Sequence, residues 1–154
     1  MAIMHAKDAI RGNTGECYVT IDGERYHMMT LKKISAELEY SNGEVPRLGA
    51  NMMGHKEGIA KGTWTASGYY GTPMLRRCLL DYKETGIFPE INIQIINEDM
   101  TSAAGRQSAI IKECLIDKAI LATLDAEEEF IEEEISGTFD DWELPEEFTK
   151  LSGM

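Results

Sequence analysis

Residues 127–148 read EEEFIEEEISGTFDDWELPEEF, with eleven acidic residues and no basic one. Whether this stretch is helix or strand decides the fold class. As a helix it would put Leu124, Ile131 and Ile135 on one face, but it would stack acids at i, i+4 spacing, where like charges repel. As a strand it puts Ile131, Ile135 and Phe139 on one side, with Glu133 the exception. Phe130, Glu132, Glu134, Ser136, Thr138 and Asp140 then fall on the other side. The period of two continues through ISGTFDDW, and the strand reading is preferred.

The neighbouring segments agree with a β-rich chain. ECYVTIDGERYHMMTL, residues 16–31, is two apolar-rich runs around Asp22-Gly23, a hairpin signal. ISAELEY alternates Ile34, Ala36, Leu38 and Tyr40 against polar residues, the pattern of a half-buried strand, and TWTASGYY at 63–70 alternates again. EINIQII, AIIKECLID and KAILATLDA are three apolar runs rich in β-branched residues and are expected as strands. One helix is expected, in TPMLRRCLLDYKETG. Thr72 is its N-cap, Pro73 opens it, Leu75, Cys78, Leu79 and Tyr82 form its core face, and Gly86 ends it.

The chain has 154 residues, enough for one domain with a sizeable core. Its N-terminus lacks the apolar core of a secretory signal, and no apolar stretch is long enough to span a membrane. Cys17, Cys78 and Cys114 are odd in number and dispersed, which argues against a disulfide framework or a zinc ribbon. Synthesis in a reducing cytoplasm is expected. The net charge is −12, and the acids between residues 119 and 149 account for all of it. Such a chain repels nucleic acid rather than binding it.

No constellation points to catalysis. His5, His27 and His55 have no metal-ligand or dyad spacing. With twenty-seven acids, neighbouring carboxylates of glycosidase type arise by chance. DDWE lacks the spacing and central glycine of a calcium loop, and Gly54, Gly58 and Gly62 lack the setting of a phosphate loop. The chain is read as a non-enzyme without cofactor or metal. The informative feature is instead Ser41–Gly62, a long connection with five glycines and no clean period. Such connections are uncommon in compact domains unless they are functional or disordered. This one carries Val45, Leu48, Met52, Met53 and Ile59, together with His55, and reads as an arm that orders against a neighbouring subunit.

In the order of AIRGNTGECYVTIDGE, MMGHK, GTWTASGYY and above all EEEFIEEEISGTFDDWELPEEF, the chain resembles the tail tube proteins of contractile-tailed phages, in the form found in Gram-positive prophages and phage-tail-like bacteriocins. The resemblance covers nearly the whole chain. It implies a single β-sandwich or barrel-like domain, 1–154, with one flanking helix and an extended inter-ring loop at 41–62. It also implies hexameric rings stacked into a tube whose inner wall is a continuous β-barrel. The implied place is a virion or phage-tail-like particle assembled in the bacterial cytoplasm. The implied partners are other copies of the chain, a tail sheath protein, and baseplate and tail terminator proteins, with no specific nucleic-acid binding and no membrane insertion by the monomer. Glu132, Glu134 and Asp140 are then the expected lumen residues, where acids repel passing phosphate. The alternative is a monomeric β-sandwich binding module for carbohydrate or calcium.

Overall fold

The computed structural model describes residues 3–154. Asp22 (φ 48°) and Gly23 (φ 87°) both take left-handed backbone, closing a two-residue turn between β1 (Gly15–Ile21) and β2 (Glu24–His27). Positive φ at both central residues matches the right-handed twist of the flanking strands, which is why Asp-Gly marks such hairpins. The chain continues through β3 (Leu31–Tyr40), β4 (Gly43–Val45), β5 (Gly54–Lys56), β6 (Ala60–Tyr69), α1 (Met74–Thr85), β7 (Ile91–Glu98), β8 (Arg106–Lys112), β9 (Leu115–Ala119), β10 (Glu132–Phe139) and β11 (Asp141–Glu146).

The strands form a five-stranded sheet, β11-β8-β7-β1-β2, a four-stranded sheet, β3-β6-β10-β9, and the two-stranded β4-β5. The first two face each other across one core. Cys17, Val19, Ile91, Ile93 and Ile111 come from the larger sheet, Trp64, Ala66, Ile135 and Phe139 from the smaller, and Leu75 and Cys78 from α1. The fold is a mainly β sandwich with one helix, as the alternating patterns imply.

β10 settles the middle of the opening stretch as a strand, whereas residues 127–131, with Phe130 and Ile131, lie before it and the period breaks at Asp140. Glu133, Ile135, Gly137 and Phe139 are buried, and the residues between them are exposed or half-buried. Across the β6–β10 ladder Trp64 faces Gly137 and Gly62 faces Phe139, so each aromatic ring lies over a glycine. A side chain at Gly62 would fall 2.6 Å from the Phe139 ring, and one at Gly137 2.7 Å from Nε1 of Trp64. These two glycines are what lets both rings lie flat in the core.

Several boundaries differ from the sequence expectations. AIIKECLID is not one strand. It breaks at Glu113 (φ 54°) and crosses from the larger sheet to the smaller, with the Glu113 amide donating to Asn92 and the Cys114 amide to the Ile91 carbonyl. KAILATLDA is strand only as far as Ala119. The Ile120 carbonyl accepts from Arg76 of α1 instead of a strand neighbour, so the run leaves the sheet there. The helix starts one residue later than expected. Pro73 occupies the cap (φ −85°, ψ −3°), its carbonyl accepts the first helical bond from Arg77, and the Thr72 hydroxyl reaches the Met74 amide only at 3.5 Å. Gly86 (φ 74°) closes the helix through its amide to the Tyr82 carbonyl. Of the expected core face, Leu75 and Cys78 are buried, Leu79 is half-buried and Tyr82 is exposed, its ring set edge-on against Phe88.

Candidate functional site

The arm is built by β3 and β6, which run past the end of the sandwich. Their ladder continues to Tyr40 opposite Ala60, yet no residue of β3 from Ala36 to Tyr40 is buried. Beyond them the chain is not structureless, as its lack of period suggested. β4 and β5 pair, Val45 opposite Gly54, and the Arg47 guanidinium donates to the Met52 carbonyl to brace the tip. The Ser41 amide donates to the Ile59 carbonyl, and the Gly58 amide to Asn42, which ties the hairpin to its stalk. Val45, Leu48, Met52, Met53, His55 and Ile59 are all exposed, Leu48 completely. The arm's three bases, Arg47, Lys56 and Lys61, make no ion pair among the described residues.

The acidic candidates separate. Glu132 and Glu134 lie on the outward face of β10, but Glu132 is paired at 2.6 Å with Lys32 of β3. That hydrogen bond raises the Lys32 ammonium above its ordinary pKa. Glu134 is exposed and has no such partner among the described residues. Asp140 is not on the strand face as expected. It sits at the bend where the chain switches sheets, its amide donating to the Lys112 carbonyl. The rest of the outward face of the four-stranded sheet mixes hydroxyls with further charges, Lys33 and Glu37 on β3 and Lys118 on β9. Thr63, Thr65 and Ser67 of β6 lie between Ser35 of β3 and Ser136 and Thr138 of β10, with Ser35 and Thr65 hydrogen-bonded at 3.1 Å. Glu133, the exception in the strand pattern, points inward and is held by the Arg76 guanidinium.

The outer face of the larger sheet is self-satisfied by contrast. Tyr18 stacks on His27, Arg25 covers the Tyr18 ring at 3.9 Å and reaches Gln94, and Gln94 donates to Ser108. Lys112 pairs with Glu143, and Arg106 lies between Glu98 and Glu146. Burial pushes the Cys17 and Cys114 thiols up to about 12, so neither is a nucleophile at neutral pH. Among the described residues no three His, Cys, Asp or Glu side chains cluster closely enough to hold a metal.

A second exposed apolar group was not singled out from the sequence. Leu121, Leu124 and Phe130 protrude from the 120–131 connection, and Met29 from the β2–β3 turn. For Leu121 and Leu124 the signal lies in KAILATLDA, an apolar run that continues past the end of its strand at Ala119.

The β3–β6 arm stands beyond the sandwich, and β3 and β9 form the two edges of the four-stranded sheet. A family profile described as phage tail tube protein matches residues 2–146. The chain belongs to that family. It is 32% identical over 146 residues to the phage-like element PBSX protein XkdM of Bacillus subtilis (strain 168), covering 95% of this chain and 97% of that one. In fold it resembles a chain of an extracellular contractile injection system sheath/tube terminator (14% identity, TM-score 0.67, 93% of this chain and 99% of that one). It also resembles the SPP1 tail tube protein (13% identity, TM-score 0.64, 92% and 81%). The phage tail tube protein described here is a structural component of a virion or tail-like particle. No helix among its described residues is long and apolar enough to cross a membrane.

Proposed function

We propose that this tail tube protein closes into hexameric rings that stack into the inner tube of a contractile particle, through its 41–62 arm. The exposed apolar arm carries this reading. Val45, Leu48, Met52, Met53 and Ile59 have nothing to cover them in one copy, and burying a Met or Leu side chain stabilises by roughly 1.5–3 kcal/mol. The four-stranded sheet supports ring closure, because its edge strands β3 and β9 each leave one side without a partner among the described residues. Such edges pair with another chain unless they are covered. With the sheets of all copies joined edge to edge, the outward face bearing Glu132 and Glu134 lines the channel, where carboxylates repel phosphate. Asp140 sits at the rim of that wall. The sheath protein then packs outside, and the baseplate and terminator proteins bound the tube at its ends.

Negative-stain microscopy and light scattering across a concentration series test this. Monomers when dilute, and tubes with six-fold end views when concentrated, are expected. A chain that stays monomeric at millimolar concentration would overturn the proposal and favour the binding-module alternative.

A further inference from the structure

We infer that the arm of one copy docks on the apolar and acidic 120–131 connection at the opposite end of the next copy. The two surfaces sit at opposite ends of the same sheet. On β6, Ala60 adjoins the arm, whereas Tyr69 lies opposite Glu132, where the 120–131 connection enters β10. Ten strand residues separate these ends by about 30 Å, so the arm extends away from its own 120–131 connection. A contact between unlike ends joins copies head to tail, and a head-to-tail contact along an axis propagates without closing.

The chemistry of the two ends is complementary. The arm presents Leu48, Met52 and Ile59 with the unpaired base Lys56. The far end presents Leu121, Leu124 and Phe130, all exposed. Around them lie Asp125, Glu127, Glu128 and Glu129, exposed and without an ion pair among the described residues. Residues 41–62 carry three bases and two acids, whereas residues 119–131 carry four acids and no base. Apolar anchors ringed by opposite charge are what a specific interface between copies needs.

This inference rests on the tube reading above, and the test separates the two. The full chain with Met52→Cys and Leu124→Cys is grown into tubes and treated with a bismaleimide; the three native cysteines are buried and do not compete. Covalent dimers and longer ladders are expected from the double variant, and none from either single variant. Tubes without a ladder would overturn the docking site while leaving the tube function standing. No tubes from the unmodified chain would overturn both. As a second measurement, Lys56→Glu and Glu128→Lys should each raise the critical concentration for growth about tenfold, and their combination should restore it to within about twofold of the unmodified chain. If the double variant is as impaired as the two single effects multiplied, the arm does not meet these acids.

Discussion

Glu133 shows how a single side chain interrupts a pattern without contradicting it. It occupies an inward position of β10, and Arg76 compensates: its guanidinium bonds the Glu133 carboxylate, the Thr72 and Ile120 carbonyls, and lies over the Tyr70 ring at 4.6 Å. Removing one partner of such a pair leaves a buried charge, which costs about 3–5 kcal/mol. Arg76→Ala should therefore lower the denaturant midpoint sharply, and adding Glu133→Leu should recover much of the loss. A small effect of Arg76→Ala in urea titrations would show that the carboxylate reaches water. Asp99 ties the chain start to the β7–β8 loop, accepting from the Thr101 hydroxyl and amide and from the Arg11 amide. The Thr101 hydroxyl, first among these, holds the Asp99 carboxyl below the ordinary aspartate range. The folded state thus binds this proton more weakly than the unfolded state does. The stabilisation is present above about pH 4 and is lost as pH falls through the lowered value. Asp99→Asn should lower the melting temperature at pH 7, and the gap between the two proteins should narrow as pH falls below about 4. A gap of constant size across the acid range would assign the role of Asp99 to its shape rather than its charge.

The strands were legible in the sequence because a period of two reports which side chains share a face. The same period does not report whether anything covers that face. ISAELEY alternates throughout, yet only its first half meets the opposite sheet, and Leu38 and Tyr40 are exposed on the stalk of the arm. KAILATLDA failed for the related reason that an apolar run needs a strand partner to be a strand, and past Ala119 Arg76 supplies the bond instead. The arm itself was legible as a long apolar connection. Its internal hairpin was not, because β4 and β5 have three residues each, too few for a period to emerge. A hairpin this short is marginal without further packing. Its amides should exchange fast in dilute protein and slowly in tubes, and slow exchange in the free chain would show that the arm is already rigid. Met52→Asp with Met53→Asp should block stacking without lowering the melting temperature, since both side chains are exposed in the single copy. Tubes of normal length from this variant would place the tip outside every contact.

At the scale of the whole molecule, charge opposes assembly while the arm favours it. Each copy carries −12, so stacking brings like charges together against one or two complementary contacts at the arm. Repulsion over distances near the Debye length, about 8 Å at physiological salt, is only partly screened there and further screened as salt rises. The critical concentration for tube growth should therefore fall with added salt, although the same salt weakens the Lys56 contact. The structure also sharpens which acid matters. Glu132 shares its charge with Lys32, so Glu132→Gln removes an acid and frees a base. Glu134 has no such partner, and beside it on β10 the outward positions are Ser136 and Thr138. If this face lines the channel, the Glu134 carboxylates of neighbouring copies face one another around the ring, and Glu134→Gln should flatten the salt dependence. Glu84→Gln on the exposed side of α1 changes the net charge equally and serves as the comparison. Sedimentation of tubes across a salt series reads both variants directly. A Glu134 variant with the same salt slope as the Glu84 variant would remove this face from the channel and leave the acids of β10 as a solvated outer surface.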